Sequence, residues 1–161
     1  MKKGGIMDNA GKLDRIEVLL VKNWDTEDIR LLYREAGWWK EEWDPVHLNL
    51  LIHGSLVFAV AVDRETGSTV AMGRVISDGT SDAYIQDLVV KSAYRESGVG
   101  RKILTTLVSY CQALGITWIA LIAEPGTEQF YVPSGFERME GYVPMILKGS
   151  EKGETSNADQ T

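Results

Sequence analysis

Tyr94-Arg95-Glu96-Ser97-Gly98-Val99-Gly100-Arg101-Lys102 joins an apolar, strand-like run to an amphipathic, helix-like one, and its reading decides the fold. A turn that enters a helix presents main-chain N–H groups with no partner of their own, and the helix dipole adds partial positive charge there. An anion is the natural occupant of such a turn. Gly98 and Gly100 let the backbone approach a bulky ligand, and Arg95, Arg101 and Lys102 add cationic side chains to an otherwise acidic chain. Spacing excludes two phosphate loops. Gly100 is followed by Arg101 and Lys102, with no hydroxyl next in line to hold magnesium. Ile103 stands where the third glycine of a dinucleotide fingerprint belongs.

What remains is Arg95-x-x-Gly98-x-Gly100, and its flanks extend the pattern. Upstream, Tyr84-Ile85-Gln86-Asp87-Leu88-Val89-Val90 reads as a strand with an acidic residue before its apolar end. Downstream, Ile103, Leu104, Leu107, Val108, Cys111 and Leu114 recur at helical spacing, with Gly115 placed to cap the helix end. Trp118-Ile119-Ala120-Leu121-Ile122-Ala123 follows as a continuous apolar run, the signature of a strand buried on both faces. A right-handed crossover through the helix makes the strands at Tyr84 and Trp118 parallel neighbours. Further on comes Phe130-Tyr131-Val132-Pro133-Ser134-Gly135-Phe136.

The glycine loop between strand and helix, followed by Phe-Tyr-x-x-x-Gly-Phe at a suitable distance, resembles the GNAT superfamily of N-acetyltransferases. The resemblance covers about Leu56 to Leu147 well and the preceding segment by general plan only. It implies an α/β (α+β) fold: a mixed, mostly antiparallel central sheet with a splayed parallel strand pair, flanked by helices. It also implies acetyl-CoA as cosubstrate, its acyl thioester lying in the wedge between the splayed strands. On this reading the cofactor contacts are Leu88, Val89 and Val90 through main-chain N–H groups, the loop Arg95, Glu96, Ser97, Gly98, Val99, Gly100 and Arg101, and Glu124 and Phe130.

Acyl transfer from a thioester to an amine needs a neutral amine, a polarised carbonyl and a proton for the departing thiolate. By resemblance Tyr131 donates that proton; a phenol with an ordinary pKa of about 10 stays protonated at neutral pH. The alternative is a core aromatic stacked on Phe130. Asp87 either accepts the amine proton through water or binds a turn N–H or the substrate ammonium, with Gln86 beside it. Two departures stand out: Glu124 replaces an Asn that holds the pantetheine in many relatives, and Pro133 shortens the helix carrying Tyr131. Cys111 on an apolar helix face reads as core, and His47 and His53 as surface or capping residues.

The acceptor belongs to the variable first third. Trp38, Trp39 and Trp43 bunch between two early helices, where large aromatics can pack an aryl or alkyl amine or face an ammonium. Trp38, Trp39 and Gln86 are the substrate-binding candidates. The reading is an acetyl-CoA-dependent N-acetyltransferase of a small primary amine by direct attack; a non-catalytic acyl-CoA sensor and a protein or peptide N-acetyltransferase are the alternatives.

Composition agrees. The 161 residues, 44% of them hydrophobic, suit one domain over 1–148 followed by a polar tail over 149–161. A net charge of -6 argues against nucleic-acid or anionic-membrane partners. No run approaches a membrane span, no Cys, His and carboxylate cluster suggests a metal, and the single Cys111 excludes an internal disulfide. A cytoplasmic location is expected, and a homodimer is left open. The remaining plan is a strand over Ile16 to Val21, a helix capped by Asp25, a second helix from Asp44-Pro45 to Gly54, a hairpin of Leu56 to Val62 with Thr69 to Ile76, and a last strand over Tyr142 to Leu147.

Overall fold

The computed structural model describes residues 9–149. Five strands form one sheet in chain order: β1 (Ile16–Val21), β2 (Val57–Asp63), β3 (Thr69–Ser77), β4 (Asp82–Val90) and β5 (Trp118–Leu121). The first four pair antiparallel, and β5 joins β4 in parallel. Helices α1 (Asn9–Asp14), α2 (Thr26–Glu35), α3 (His47–Gly54), α4 (Val99–Ala113) and α5 (Glu128–Tyr131) complete the fold. None of the described helices is long and apolar enough to cross a membrane.

β2 shows how the layers are divided. Its alternation sends Val57, Ala59 and Ala61 to one face, where Ile103, Leu104 and Leu107 of α4 cover them. Phe58 and Val60 go to the other face, against Ile29 and Leu32 of α2 and Ile52 of α3. A central strand covered on both sides is therefore apolar throughout. Asp25 caps α2 as its sequence suggests, its side chain accepting from the N–H groups of Glu27 and Asp28. At the end of α4, Gly115 adopts φ +81° and Ile116 N–H closes back on the Cys111 carbonyl, a left-handed stop that glycine supplies without strain.

Two features of β4 position the site. Its pairing with β5 spans only Asp82↔Trp118 to Ile85↔Leu121, after which the strands part while β4 runs on to Val90. On its other side Met72 pairs with Val89 but Arg74 with Gln86, so Asp87 and Leu88 together oppose Gly73. This is a β-bulge, and its first residue, Asp87, sits at φ +55°, a value that glycine normally supplies. Gly73 is required opposite it: an added Cβ would meet Ile103 Cγ2 at 2.9 Å, Leu107 Cδ1 at 3.1 Å and Leu88 Cδ1 at 3.2 Å. Gly73→Ala is expected to destabilise the fold by about 1–3 kcal/mol through overpacking between sheet and α4. Thermal melting checks this, and an unshifted midpoint contradicts it.

The structure corrects four expectations. The first dozen residues, small and polar, are expected from their sequence to be loose, yet the described segment before β1 includes the short helix α1. α3 begins at His47, not Pro45; the Asp44 side chain still accepts from Val46 N–H at 2.9 Å, but the first turn closes through i to i+3 bonds. β5 is a sheet edge, with Trp118 48% exposed, so its apolar run does not signify burial on both faces. No strand forms over 142–147: Pro144 lacks a donor for a ladder, and Val143, Met145, Ile146 and Leu147 are all more than 70% exposed. From 150 onward the expected tail lies outside the described residues.

Candidate active site

Where β4 and β5 part, a cleft of about 870 Å³ opens. Leu88 and Val90 of β4, Arg95, Glu96, Gly98, Gly100 and Arg101 of the loop, and Phe130 of α5 line it. The side chains of Ser97, Val89 and Val99 do not: Ser97 Oγ donates to the Tyr94 carbonyl, Val89 packs on the α2 side of the sheet, and Val99 lies in the α4 core. Only their main chain can serve a ligand.

The start of α4 is shaped by both glycines. Gly98 stands at φ +90°, and a Cβ there would meet Leu13 Cδ2 at 3.2 Å. A Cβ on Gly100 would meet Phe130 Cζ and Val90 Cγ2 at 3.2 Å, so this glycine also lets Phe130 seat against the helix. Arg95 is braced across the loop, Nε donating to the Val90 carbonyl at 3.0 Å with Glu35 at 3.7 Å from Nη2. Arg101 is exposed and makes no ion pair among the described residues. Lys102 is not a loop cation: its Nζ donates to the Ile16 carbonyl at 2.6 Å and ties α4 to β1.

The same cleft is lined by Trp38, Gln86, Asp87, Glu124 and Tyr131. Gly37, at φ +75°, ends α2 and turns the chain so that Trp38 reaches over, its Nε1 donating to Glu124 Oε1 at 3.2 Å. Trp39 does not line this cleft. It packs edge-on against Trp43 at 5.8 Å and lines a separate pocket of about 230 Å³ with Leu48 and Leu51.

Tyr131 is half-buried between Phe130, 4.9 Å away by ring centroids, and Phe136 at 6.1 Å. Pro133 does end the α-helical hydrogen bonding, which gives way to a 3-10 turn over Val132–Ser134, yet Tyr131 keeps its place on the cleft. Burial pushes its phenol above the usual tyrosine pKa, and the negative charge of Glu124 pushes in the same direction.

Asp87 faces the cleft with its carboxylate already engaged. Tyr33 Oη donates to its Oδ2 at 2.6 Å, and Arg74 Nε donates to the same oxygen at 2.6 Å. Arg74 Nη2 also donates to Gln86 Oε1 at 2.9 Å, so one guanidinium holds both neighbours. Burial, then the adjacent Asp87 charge, raises the Tyr33 pKa strongly and keeps it a donor. Sequence reasoning missed this group. Tyr33 fits the apolar face of α2, and the one available signal was Arg74, a charge inside an otherwise apolar strand. Tyr94 was also missed: it lines the cleft, and its hydroxyl donates to buried Asp63 at 2.8 Å. Cys111 is core and His47 and His53 are exposed, as expected, and no metal-holding cluster occurs among the described residues.

The family model for the acetyltransferase (GNAT) family matches residues 18–136. The chain belongs to the GNAT family. Over 70 residues it is 37% identical to serotonin N-acetyltransferase 2, chloroplastic, of Oryza sativa subsp. japonica, covering 44% of this chain and 35% of that protein. The chain thus spans about a third of the length of such chloroplastic relatives. Across 142 residues it is 29% identical to the uncharacterized N-acetyltransferase ycf52 of Porphyra purpurea, covering 84% of this chain and 79% of the relative. Among solved structures, the GNAT family protein SP0256 from Streptococcus pneumoniae superposes with a TM-score of 0.71 at 26% identity, over 84% of this chain and 99% of the other. Residues 18–136 are accordingly a domain of the acetyltransferase (GNAT) family.

Proposed function

We propose that this GNAT acetyltransferase moves an acetyl group from acetyl-CoA to the primary amine of a small aryl or alkyl amine by direct attack. The observation that carries the reading is a single cleft lined both by the glycine loop and by Trp38, Glu124 and Tyr131. The N-terminus of α4, which meets the cleft at Gly98, Gly100 and Arg101, suits the pyrophosphate. From Gln86 onward β4 has no strand partner on the β5 side, so its main-chain groups are open to the pantetheine arm and the thioester carbonyl.

The amine nitrogen attacks the carbonyl carbon, the carbon–sulfur bond breaks, and Tyr131 protonates the departing thiolate before recovering a proton from water. The ammonium proton leaves through water in the open cleft, since Tyr33 and Arg74 already engage Asp87. An indole wall with a carboxylate at its edge, Trp38 with Glu124, suits a ring-bearing cationic amine. The name of the rice relative, a serotonin N-acetyltransferase, agrees with that class of acceptor.

The test is thiol release from acetyl-CoA against a panel of aryl-alkyl amines, polyamines, amino sugars and peptides. Turnover is expected to be fastest with a ring-bearing primary amine. Turnover on peptides alone replaces the small-molecule reading, and binding without turnover replaces the enzyme with a sensor.

A further inference from the structure

Two residues among those described combine a positive φ with a side chain, Asp87 at +55° and Glu96 at +59°, and both lie on the cleft. Such a backbone costs free energy and persists only where the surroundings over-determine it. For Asp87 the surroundings are explicit. A bulge already removes its neighbourhood from regular pairing with β3, and pairing with β5 has stopped at Ile85. The regular ladder is interrupted here, and the Asp87 side chain ties the bulge to two other elements. Its carboxylate is 3% exposed and held from the helix layer by Tyr33 and from the neighbouring strand by Arg74, each at 2.6 Å.

We propose that Asp87 is an anchor, and that Arg74 and Tyr33 are positioning residues which hold the bulge in its left-handed conformation so that the β4 main chain beyond it presents its N–H groups to coenzyme A. Charge-assisted hydrogen bonds from a buried guanidinium and phenol are strong enough to offset the backbone strain. They also leave the carboxylate poorly placed to take a proton. The Arg74 bond to Gln86 extends the hold to the residue before the bulge. This inference rests on the proposed binding of coenzyme A in the wedge.

Glycine separates anchor from base, because it adopts positive φ without help. The measurement is calorimetric titration of the full chain with coenzyme A, independent of turnover. Arg74→Gln is expected to weaken coenzyme A binding about tenfold, the scale of one lost charge-assisted hydrogen bond, and Tyr33→Phe about threefold. In Arg74→Gln combined with Asp87→Gly, affinity is expected to return to within about threefold of wild type, because the strain that needed an anchor is gone. Circular dichroism confirms folding of each variant, and Tyr33→Phe, which removes one oxygen, decides the matter if Arg74→Gln does not fold. Wild-type affinity in folded Arg74→Gln or Tyr33→Phe overturns the inference. So does a folded double variant whose coenzyme A affinity stays at the level of Arg74→Gln alone. Wild-type protein that fails to bind coenzyme A overturns the proposed function itself.

Discussion

Tyr131→Phe is expected to lower kcat by about 10²-fold or more while leaving coenzyme A affinity close to wild type. The substitution keeps the ring between Phe130 and Phe136 and removes only the proton the departing thiolate would take. The pH profile carries the same assignment. Because burial and Glu124 both raise the phenol pKa, the acid form persists through neutral and mildly alkaline pH, and kcat should fall on the alkaline side only above the usual tyrosine value of about 10. Glu124→Gln removes the charge and should move that fall to lower pH. Undiminished kcat in Tyr131→Phe would transfer the acid role to water.

Trp38→Ala is expected to raise the acceptor KM about 5- to 150-fold, the equivalent of about 1–3 kcal/mol of lost ring burial, and to leave the acetyl-CoA KM unchanged. Trp38 lines the cleft outside the glycine loop and donates to Glu124, a member of the same lining. Trp39→Ala is the internal comparison. Its side chain lines the separate pocket with Trp43, so the acceptor KM should not move. Steady-state kinetics with both substrates varied checks both variants, and an acceptor KM that responds to Trp39 but not Trp38 would reverse the assignment.

The parts of this molecule legible in its sequence are those set by local rules. Asp25 caps α2 through a contact two and three residues away, Gly115 stops α4, and the apolar stripe of Ile103, Leu104, Leu107 and Cys111 finds the sheet its period demands. The loop motif points to residues that line the cleft because a turn entering a helix is written in local glycine spacing. What stayed hidden depends on partners far along the chain. Whether Trp38 or its neighbour faces the cleft is decided by the turn at Gly37, and both are equally aromatic in the sequence. The role of Asp87 depends on Tyr33 and Arg74, 54 and 13 residues away. The apolar run at Trp118 misled because burial on both faces and exposure at a sheet edge can be written in the same residues.

The short pairing of β5 bears on how the protein opens and closes in solution. Only four residue pairs, Asp82↔Trp118 to Ile85↔Leu121, hold this strand to the sheet, whereas β2 and β3 are sealed on both sides. Local opening free energies follow such differences, so β5 and the α5 segment behind it form the unit that opens first, well before the meander of β1 to β4 yields. A ligand lying across the wedge spans the rigid and the yielding unit at once. Binding then acts as a stitch: some of its free energy is spent closing the loosest part of the fold, and amide exchange in β5 slows most where the ligand bridges the gap.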